Sequence, residues 1–282
     1  MAEAIFAEPG ERAGASAPPV AVAAPTPISV HMFGPFRLVA QGRIVDGPSR
    51  GAARDLLAFL VDQPARAVRR ERVVDLFWGE APARGRAALS TTLWRLSKAC
   101  EHTPLAIRST DEMVWVEGAR ADRHDLADAL AAARAARNTS DSLDGAVRAA
   151  LEGALSACEG DYLEGCEMDW ALAEREAARD QRLDAMRYLA DDALARERPH
   201  AALRWVRAAL AADPYGEALH HRLMELYVRT GRRARAILHY ERLRDLLASE
   251  LGMAPQPETT ALRNRLISRG ETRVRIEPLS PR

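Results

Sequence analysis

The sequence predicts an α+β domain in the N-terminal part of the chain, followed by an all-α domain built from stacked helix pairs. Three observations lead to this prediction. Short β-type runs, separated by Gly and Pro, occupy residues 28–45. Helical periodicity then dominates as far as residue 100, and two further β-type runs follow it. From Asp122 onward no β-type run remains, and Ala and Leu dominate.

Length and composition limit the number of domains and the class of protein. A chain of 282 residues is long for one core, so two domains are expected. The hydrophobic fraction of 48% and charged fraction of 28% are typical of a globular protein, and no apolar run approaches the roughly 18 residues of a membrane span. The three cysteines form no CxxC pair, which favours reduced thiols in a cytoplasmic protein.

Residues 1–27 are rich in Ala and Pro and carry Glu3, Glu8 and Glu11 ahead of the first Arg. A signal peptide needs a basic start and a continuous apolar core, and this segment has neither. We therefore expect a disordered lead-in over residues 1–27. The other predicted divisions are an N-terminal domain over residues 28–120, a helical domain over residues 121–270 and a tail over residues 271–282.

The charges are unevenly distributed although their formal sum is zero. Residues 28–120 hold 14 Lys and Arg against 10 Asp and Glu, which is a net charge of +4. The rest of the chain is therefore slightly acidic. This positive excess lies in the half that contains the basic helix described below, which suits a nucleic-acid partner.

The N-terminal domain is predicted to begin with strands, which three helices follow. The runs ISVHMF, FRLVA and RIV predict a small antiparallel meander. Ser49 is the expected N-cap of a helix over RGAARDLLAFLVDQ, and Pro64 is expected to stop it. A shorter helix is predicted over VRRERVVDLFWGEAP, with Val73, Val74, Phe77 and Trp78 facing inward.

The third helix, Ala83 to Cys100, has two contrasting faces. Leu89, Leu93, Leu96 and Cys100 recur at spacings of four, three and four, which is one stripe of an α-helix. The opposite face carries cations, hydroxyls and Trp94, with no acid before Glu101. Such a face suits phosphate oxygens and base edges. An ordinary amphipathic helix with a stray Trp would show the same periodicity. The choice between a DNA-binding helix and an ordinary one therefore depends on the neighbouring elements.

Two β-type runs, LAIRS and MVWVE, follow and predict a hairpin. Strands, three helices and a hairpin form the order of a winged helix, in which the third helix enters the major groove and the hairpin lies against the backbone or the minor groove. The candidate DNA-binding residues share the outer face of the third helix or the first hairpin strand. They are Arg84, Arg86, Ser90, Thr91, Trp94, Arg95, Lys98 and Arg108.

Several longer stretches resemble the SARP/AfsR-type bacterial transcriptional activators, which join an OmpR-type winged helix to a bacterial transcriptional activation domain. They are VHMFGPF, ARDLLAFLVDQPARAVRRERVVDLFWGE, ALSTTLWRLSKA, WALAEREAARDQRLDAM and YVRTGRRARAILHYERLRDLLASELGMAPQPETTAL. The resemblance covers about residues 28 to 268 and implies a promoter-binding activator that recruits RNA polymerase, commonly over direct repeats. One departure is Ser97-Lys98 after Arg95-Leu96, where family members usually carry further arginines. A phosphate contact is expected to be lost there.

The second half also has a periodicity of its own. We expect helices over residues 122–137, 141–158, 170–196, 199–212, 216–230, 233–250 and 258–268. A shift of 34 residues aligns Leu189 with Leu223, Ala193 with Tyr227, Ala202-Leu203 with Ala236-Ile237 and Val206 with Tyr240. This period, with Pro214 between pairs and Gly231 within one, is typical of a tetratricopeptide-like repeat. Such a stack offers a concave surface to a protein segment or a second subunit.

Other polar groups have simple structural interpretations. Asp122, His124 and Asp125 open a helix, where acids interact favourably with the helix dipole, and this is preferred to catalysis. Asp191-Asp192 is read as a solvated face, and Cys158 and Cys166 as buried or idle thiols. No metal-ligand spacing or phosphate-binding loop occurs, and His220 and His221 diverge on a helix. We therefore expect no enzyme, metal, cofactor, membrane partner or small-molecule substrate.

Some alternatives stay open at this point. Trp94 could stack on a DNA sugar, contact a second subunit or pack under the wing. The preferred function is a DNA-binding activator with double-stranded promoter DNA and RNA polymerase as partners, self-associating on direct repeats. The alternative is a helical-repeat adaptor whose winged domain no longer reads DNA, and salt-dependent retention on duplex DNA separates the two.

Overall fold

The computed structural model describes residues 28–48, 50–63, 67–79 and 82–271. The predicted lead-in over residues 1–27, Ser49, Pro64 and the predicted tail after Glu271 lie outside the described residues. The α+β domain followed by helical repeats is confirmed.

The described residues of the N-terminal half form seven strands and three helices. The strands are β1 (Ile28–His31), β2 (Arg37–Ala40), β3 (Arg43–Val45), β4 (Ala67–Arg69), β5 (Ala106–Ser109), β6 (Met113–Glu117) and β7 (Ala119–Ala121). The helices are α1 (Gly51–Asp62), α2 (Arg70–Trp78) and α3 (Pro82–Ala99).

Two small sheets frame these helices. The first has the order β3-β2-β1-β7, in which β1 pairs antiparallel with β2 and parallel with β7. The second has the order β4-β6-β5 and is antiparallel, with Arg108 opposite Trp115 in the wing hairpin β5–β6. The predicted meander and the predicted hairpin are confirmed. Neither β4 nor β7 was predicted, because each has three residues and exists only by pairing with a distant strand.

Two local predictions in this domain are wrong. Helix α1 begins at Gly51, so its N-cap position is Arg50, which makes no side-chain capping hydrogen bond, and not Ser49. Helix α2 begins at Arg70 instead of Val68, because Val68 pairs with Val114 in the second sheet. The predicted inward face of α2 is confirmed at Val73 and Val74, which are buried.

The apolar stripe of α3 is buried in the winged-helix core, as its periodicity predicts. Leu89 and Leu96 have no exposed surface, and Leu93 and Cys100 are buried. They pack with the apolar face of α1 and the buried valines of α2 in one cluster. Burial of this stripe turns the other face of α3 outward.

The second half is built from helices joined by loops. It contains α4 (Asp122–Arg137), α5 (Gly145–Ala157), α6 (Asp169–Ala195), α7 (Pro199–Ala212), α8 (Glu217–Arg229), α9 (Arg233–Leu251) and α10 (Pro257–Glu271). The predicted bounds of α4 and α7 agree to the residue. Helix α5 begins later than predicted because Asp144 caps it, accepting hydrogen bonds from the N–H groups of Ala146 and Val147 at 2.8 and 2.9 Å.

The helix-pair repeat is also present. Helices α6 and α7 pack as one pair and α8 and α9 as the next, and Ala202 and Ala236, the aligned small residues, are completely buried. Gly231 has a φ of 72° in the turn between α8 and α9, a conformation that glycine adopts without a steric penalty. Pro214 lies between the two pairs, as expected.

The interpretation of Asp191-Asp192 as a solvated face is wrong for Asp192. This residue is 1% exposed, and its carboxylate accepts a hydrogen bond from the N–H of Leu143 at 2.7 Å. Arg196 and Arg148 lie 3.0 and 3.5 Å from its oxygens. Asp191 does face solvent in part and pairs with Arg222 at 2.7 Å. Asp192 therefore anchors the start of α5 to α6.

A shared core joins the two halves. One hydrophobic cluster runs from Ile28 to Leu219 and includes residues of both halves, and a second fills the repeats beyond it. Phe59 of α1 lies with its ring centroid 5.2 Å from that of Trp170 of α6. The winged helix is thus packed directly against the helical half.

Polar contacts at this junction begin with Asp122, the first residue of α4. As predicted, it lies in the first turn of its helix. Its buried carboxylate also accepts hydrogen bonds from the N–H groups of Met32 and Phe33 at 2.9 and 3.2 Å. Burial raises the pKa of Asp122 to about 6. This carboxylate thus joins the end of β1 to the helical half.

Next to Asp122, Arg123 donates to Asp62 of α1 at 2.8 Å and to Glu174 of α6 at 2.5 Å. Burial raises the pKa of Asp62, and the Arg123 guanidinium opposes that change. Because Arg123 contacts one carboxylate in each half, it ties α1 to α6.

A junction loop, residues 158–168, connects α5 to α6 and pairs with the chain after β1. The N–H of Leu163 donates to the carbonyl of Met32 at 2.7 Å, and the N–H of Gly34 donates to the carbonyl of Asp161 at 2.9 Å. Arg54 of α1 reaches the loop and donates to the carbonyl of Gly165 at 2.7 Å. These backbone contacts fix the position of the winged helix on the helical half.

Candidate nucleic-acid interface

The outer face of α3 is fully available to a partner. All seven predicted residues on this helix are exposed, namely Arg84, Arg86, Ser90, Thr91, Trp94, Arg95 and Lys98. Trp94 is 63% exposed, so of the three expectations for this side chain, packing under the wing is excluded. An indole this exposed on a basic face is free to contact a partner molecule.

The cations of this face differ in how far their charge is already neutralised. Lys98 lies 3.1 Å from Glu101. Within the described part of the chain, Arg84, Arg86 and Arg95 form no ion pair. Positive charge without a carboxylate partner attracts phosphate, so these three arginines are the strongest candidates for backbone contacts.

The two hydroxyls use their protons within the helix. Ser90 donates to the carbonyl of Arg86 at 3.1 Å, and Thr91 donates to the carbonyl of Ala87 at 3.0 Å. The Ser90 oxygen also accepts a hydrogen bond from Arg70, whereas the Thr91 oxygen can still accept one from a partner. Donation to a phosphate would require each side chain to rotate.

Arg70, at the start of α2, connects α3 to the wing and was missed by the sequence reasoning. Its guanidinium donates to Ser90 of α3 at 3.0 Å and to Ser109 of β5 at 2.6 Å. Its backbone N–H donates to the carbonyl of Glu112 at the hairpin turn at 2.8 Å. Only the folded chain brings these partners together, so no sequence spacing could have indicated the role. Arg70 holds the third helix and the wing in one surface.

The wing contributes Arg108, which is exposed and faces Glu117 across the hairpin at 3.0 Å. Trp115 donates to the same carboxylate at 3.0 Å. Hydrogen bonds from Trp115 and Arg108 hold the pKa of Glu117 below its usual value, so it stays ionised. Arg108 would have to exchange this partner for a phosphate, which makes it a weaker candidate than the arginines of α3.

The residues that the structure describes include no group of three His, Cys, Asp or Glu side chains able to hold a metal. Nor do they include a helix with the length and apolar character needed to cross a bilayer. Cys100, Cys158 and Cys166 are free and buried, as predicted, and burial raises the pKa of Cys158 to about 12. A thiol in that state is a poor nucleophile.

Comparisons with known proteins agree with this architecture. The family model described as "Bacterial transcriptional activator domain" matches residues 122–267. The regulatory protein AfsR of Streptomyces coelicolor is 31% identical over 241 residues, which are 84% of this chain and 24% of that protein. AfsR of Streptomyces griseus is 29% identical over 219 residues, 77% of this chain and 22% of that protein. The chain thus spans about a quarter of the length of these relatives.

A solved structure shares the fold. The structure titled "Mycobacterium tuberculosis EmbR in complex with low affinity phosphopeptide" superposes with a TM-score of 0.67 at 22% identity. The superposition covers 90% of this chain and 66% of that one. At this identity the likeness concerns the fold alone. It extends over both the winged helix and the repeats.

Proposed function

We propose a DNA-binding function for this chain, which belongs to the bacterial transcriptional activators of the SARP/AfsR type. In this proposal α3 enters the major groove of promoter DNA and the β5–β6 hairpin lies along the backbone or in the minor groove. The observation that carries the proposal is the outer face of α3, with three exposed arginines that have no ion-pair partner among the described residues.

The proposed roles follow from position on the helix. Arg84 and Arg86 lie near the N-terminus of α3, where the helix dipole adds to their attraction for phosphate. Thr91, Trp94 and Arg95 lie further along the same face, where base edges and sugars come within reach. Ser97-Lys98, at the position of the missing arginines, provides one cation that is already paired with Glu101. This supports a weaker phosphate contact at that end.

The helical half is proposed to act on the transcription machinery. Its stacked pairs offer a surface for RNA polymerase, and two copies on a direct repeat face the same way, so their contact is head-to-tail. The formal net charge of zero gives little repulsion between copies. We propose a protein that is largely monomeric in solution and pairs on adjacent half-sites.

Substitutions on α3 test the DNA contact. Arg95→Gln and Arg84→Gln are expected to weaken promoter binding and to lower the salt slope of the binding constant by about one unit for each lost phosphate contact. Arg134→Gln is the matched control, because Arg134 is exposed on α4 and pairs only weakly with Asp184 at 3.6 Å. Promoter binding by both α3 variants equal to that of the parent, across a salt series, would show that α3 is not the helix that contacts DNA. Absence of salt-dependent retention of the parent itself on duplex DNA would favour the adaptor function.

The direct-repeat proposal has a separate test. Inserting half a helical turn between the two repeats places the copies on opposite faces of the duplex. Binding is then expected to fall to that of a single half-site. Sedimentation without DNA at micromolar protein should show a monomer. A tight dimer, together with binding that ignores the spacing, would contradict pairing on the operator.

A further inference from the structure

A cavity of about 560 Å³ lies between the two halves of the molecule. Phe33 and the junction loop form one wall, and α6 and the C-terminal turn of α7 form the other. The α6 wall carries three arginines, Arg175, Arg179 and Arg182. Their spacings of four and three place them on one face of the helix.

Two of these arginines are held mainly by backbone carbonyls. Arg175 donates to the carbonyls of Tyr162 and Leu163 at 2.9 and 2.8 Å. Arg179 donates to the carbonyl of Ala212 at 2.7 Å. Carbonyl oxygens satisfy the N–H groups of a guanidinium but leave its positive charge in place.

Arg182 is the least satisfied of the three. It donates to the carbonyl of Gly160 at 3.1 Å and its guanidinium lies 5.7 Å from the centre of the Phe33 ring. Its Nε is buried and has no hydrogen-bond partner. A buried N–H without an acceptor costs free energy, so the protein itself does not use the full donor capacity of the Arg182 guanidinium.

Charge in the cavity is only partly compensated. Arg179 lies 3.6 Å from Asp213 and 3.8 Å from Glu176. Arg175 and Arg182 have no carboxylate within ion-pair distance among the described residues. Asp161 and Glu176 also line the cavity, so its excess positive charge is modest. These conditions favour a ligand with one or two negative charges over a polyanion.

We propose that this cavity binds a small organic anion, a carboxylate or a monophosphate carried on an apolar body. The anionic group would accept hydrogen bonds from Arg182 and Arg179, and the apolar body would lie against Phe33 and the alanines of α7. The cavity volume of about 560 Å³ lies within the range usual for sites that bind small organic molecules. Because Phe33 belongs to the N-terminal half and the arginines to α6, a bound anion stabilises the junction between the halves.

The site is tested on the full chain with salicylate and phenyl phosphate as probes and with neutral salicylamide as the control for charge. Saturation-transfer NMR is expected to show saturable binding of at least one of the two anions and none of salicylamide. The anion that binds is also expected to raise the melting temperature, because it binds the folded state. The carboxylate and phosphate probes distinguish the two forms of the ligand. Failure of both to bind saturably at concentrations up to about 10 mM overturns the proposal.

Three variants test whether the anion binds in this cavity. Arg182→Gln is expected to weaken binding about tenfold, because it removes a charged hydrogen-bond donor. Ala211→Phe, at an exposed position of the cavity wall, is expected to block binding without removing a charge. Arg187→Gln, on the exposed side of α6, should leave the affinity within about twofold. Equal affinity in the parent and Ala211→Phe would show that the anion binds elsewhere and overturns the proposal.

Discussion

At the scale of single residues, Asp192 and its neighbour Asp191 form a natural pair for comparison. The sequence makes them equivalent, but the structure buries Asp192 between two arginines and leaves Asp191 at the surface. A buried charge that loses its partner destabilises the folded state far more than an exposed one.

We expect Asp192→Asn to lower the free energy of unfolding by about 2 to 3 kcal/mol, because Arg148 and Arg196 lose their carboxylate. Asp191→Asn should cost less than about 1 kcal/mol. Urea denaturation of the two variants measures the difference. Equal losses would mean that Asp192 is not buried in solution.

Asp122 gives a prediction about pH. Burial raises its pKa from the ordinary value of 3.8 to about 6, so the folded state binds a proton more readily than the unfolded state. Stability from this group is therefore fully present below about pH 4 and is lost as the pH rises through about 6. His31, 4.0 Å away, acts in the opposite direction, because burial lowers its pKa and a lowered histidine pKa makes stability rise with pH. The effect of Asp122 is therefore isolated by comparing the parent with a variant that keeps His31.

The corresponding variant is Asp122→Asn, which removes this titration. Between pH 4 and pH 7 the parent should lose about 2 kcal/mol more stability than the variant. The variant itself should be less stable at low pH, because one amide oxygen replaces two acceptor oxygens. Denaturation curves across this range test the sign. Identical pH slopes in parent and variant would remove Asp122 as the cause.

At the scale of secondary-structure elements, two glycines invite comparison: Gly160 in the junction loop and Gly153 in α5. Gly160 has a φ of 91°, and a Cβ there would lie 2.8 Å from the Cα of Gly34. Gly153 lies within α5, where a Cβ meets nothing within 4 Å. The same substitution should thus have opposite effects at the two positions.

We expect Gly160→Ala to lower the free energy of unfolding by at least about 2 kcal/mol, from the left-handed backbone and the clash with Gly34. Gly153→Ala should raise it by about 0.5 to 1 kcal/mol, because alanine favours the helix. Thermal melts of both variants provide the measurement. A neutral Gly160→Ala would show that the junction loop can move away from the strand end.

The elements also show which parts of the fold follow from sequence. Apolar periodicity located α3 and its exposed face, and the predicted bounds of α7 agree with the structure to the residue. Local patterns could not reveal β7 or Arg70, whose partners lie far away in the chain: Val30 pairs with Ala121, and Arg70 contacts Ser109. For the same reason, the burial of Asp192 depends on Leu143, which no spacing in the sequence connects to it.

At the scale of the whole molecule, the shared core makes the two halves dependent on each other. Trp170 of α6 lies against Phe59 of α1 and, at a centroid distance of 6.4 Å, against Phe77 of α2. Aromatic contacts of this kind contribute through both burial and ring geometry. Trp170 thus connects α6 to α1 and α2, and both of these helices contact α3.

This dependence leads to a prediction for Trp170→Ala. The substitution leaves a cavity between the halves and should lower the free energy of unfolding by about 2 to 4 kcal/mol. Hydrogen exchange, resolved by peptide, should show α1, α3 and α6 losing protection together, because they share one cluster. Leu172→Ala is the control on the same helix, since Leu172 is 55% exposed and its loss should change stability by no more than about 0.5 kcal/mol. If α6 alone loses protection in Trp170→Ala, the halves unfold independently, and the helical half then cannot influence how firmly α3 is held through this contact.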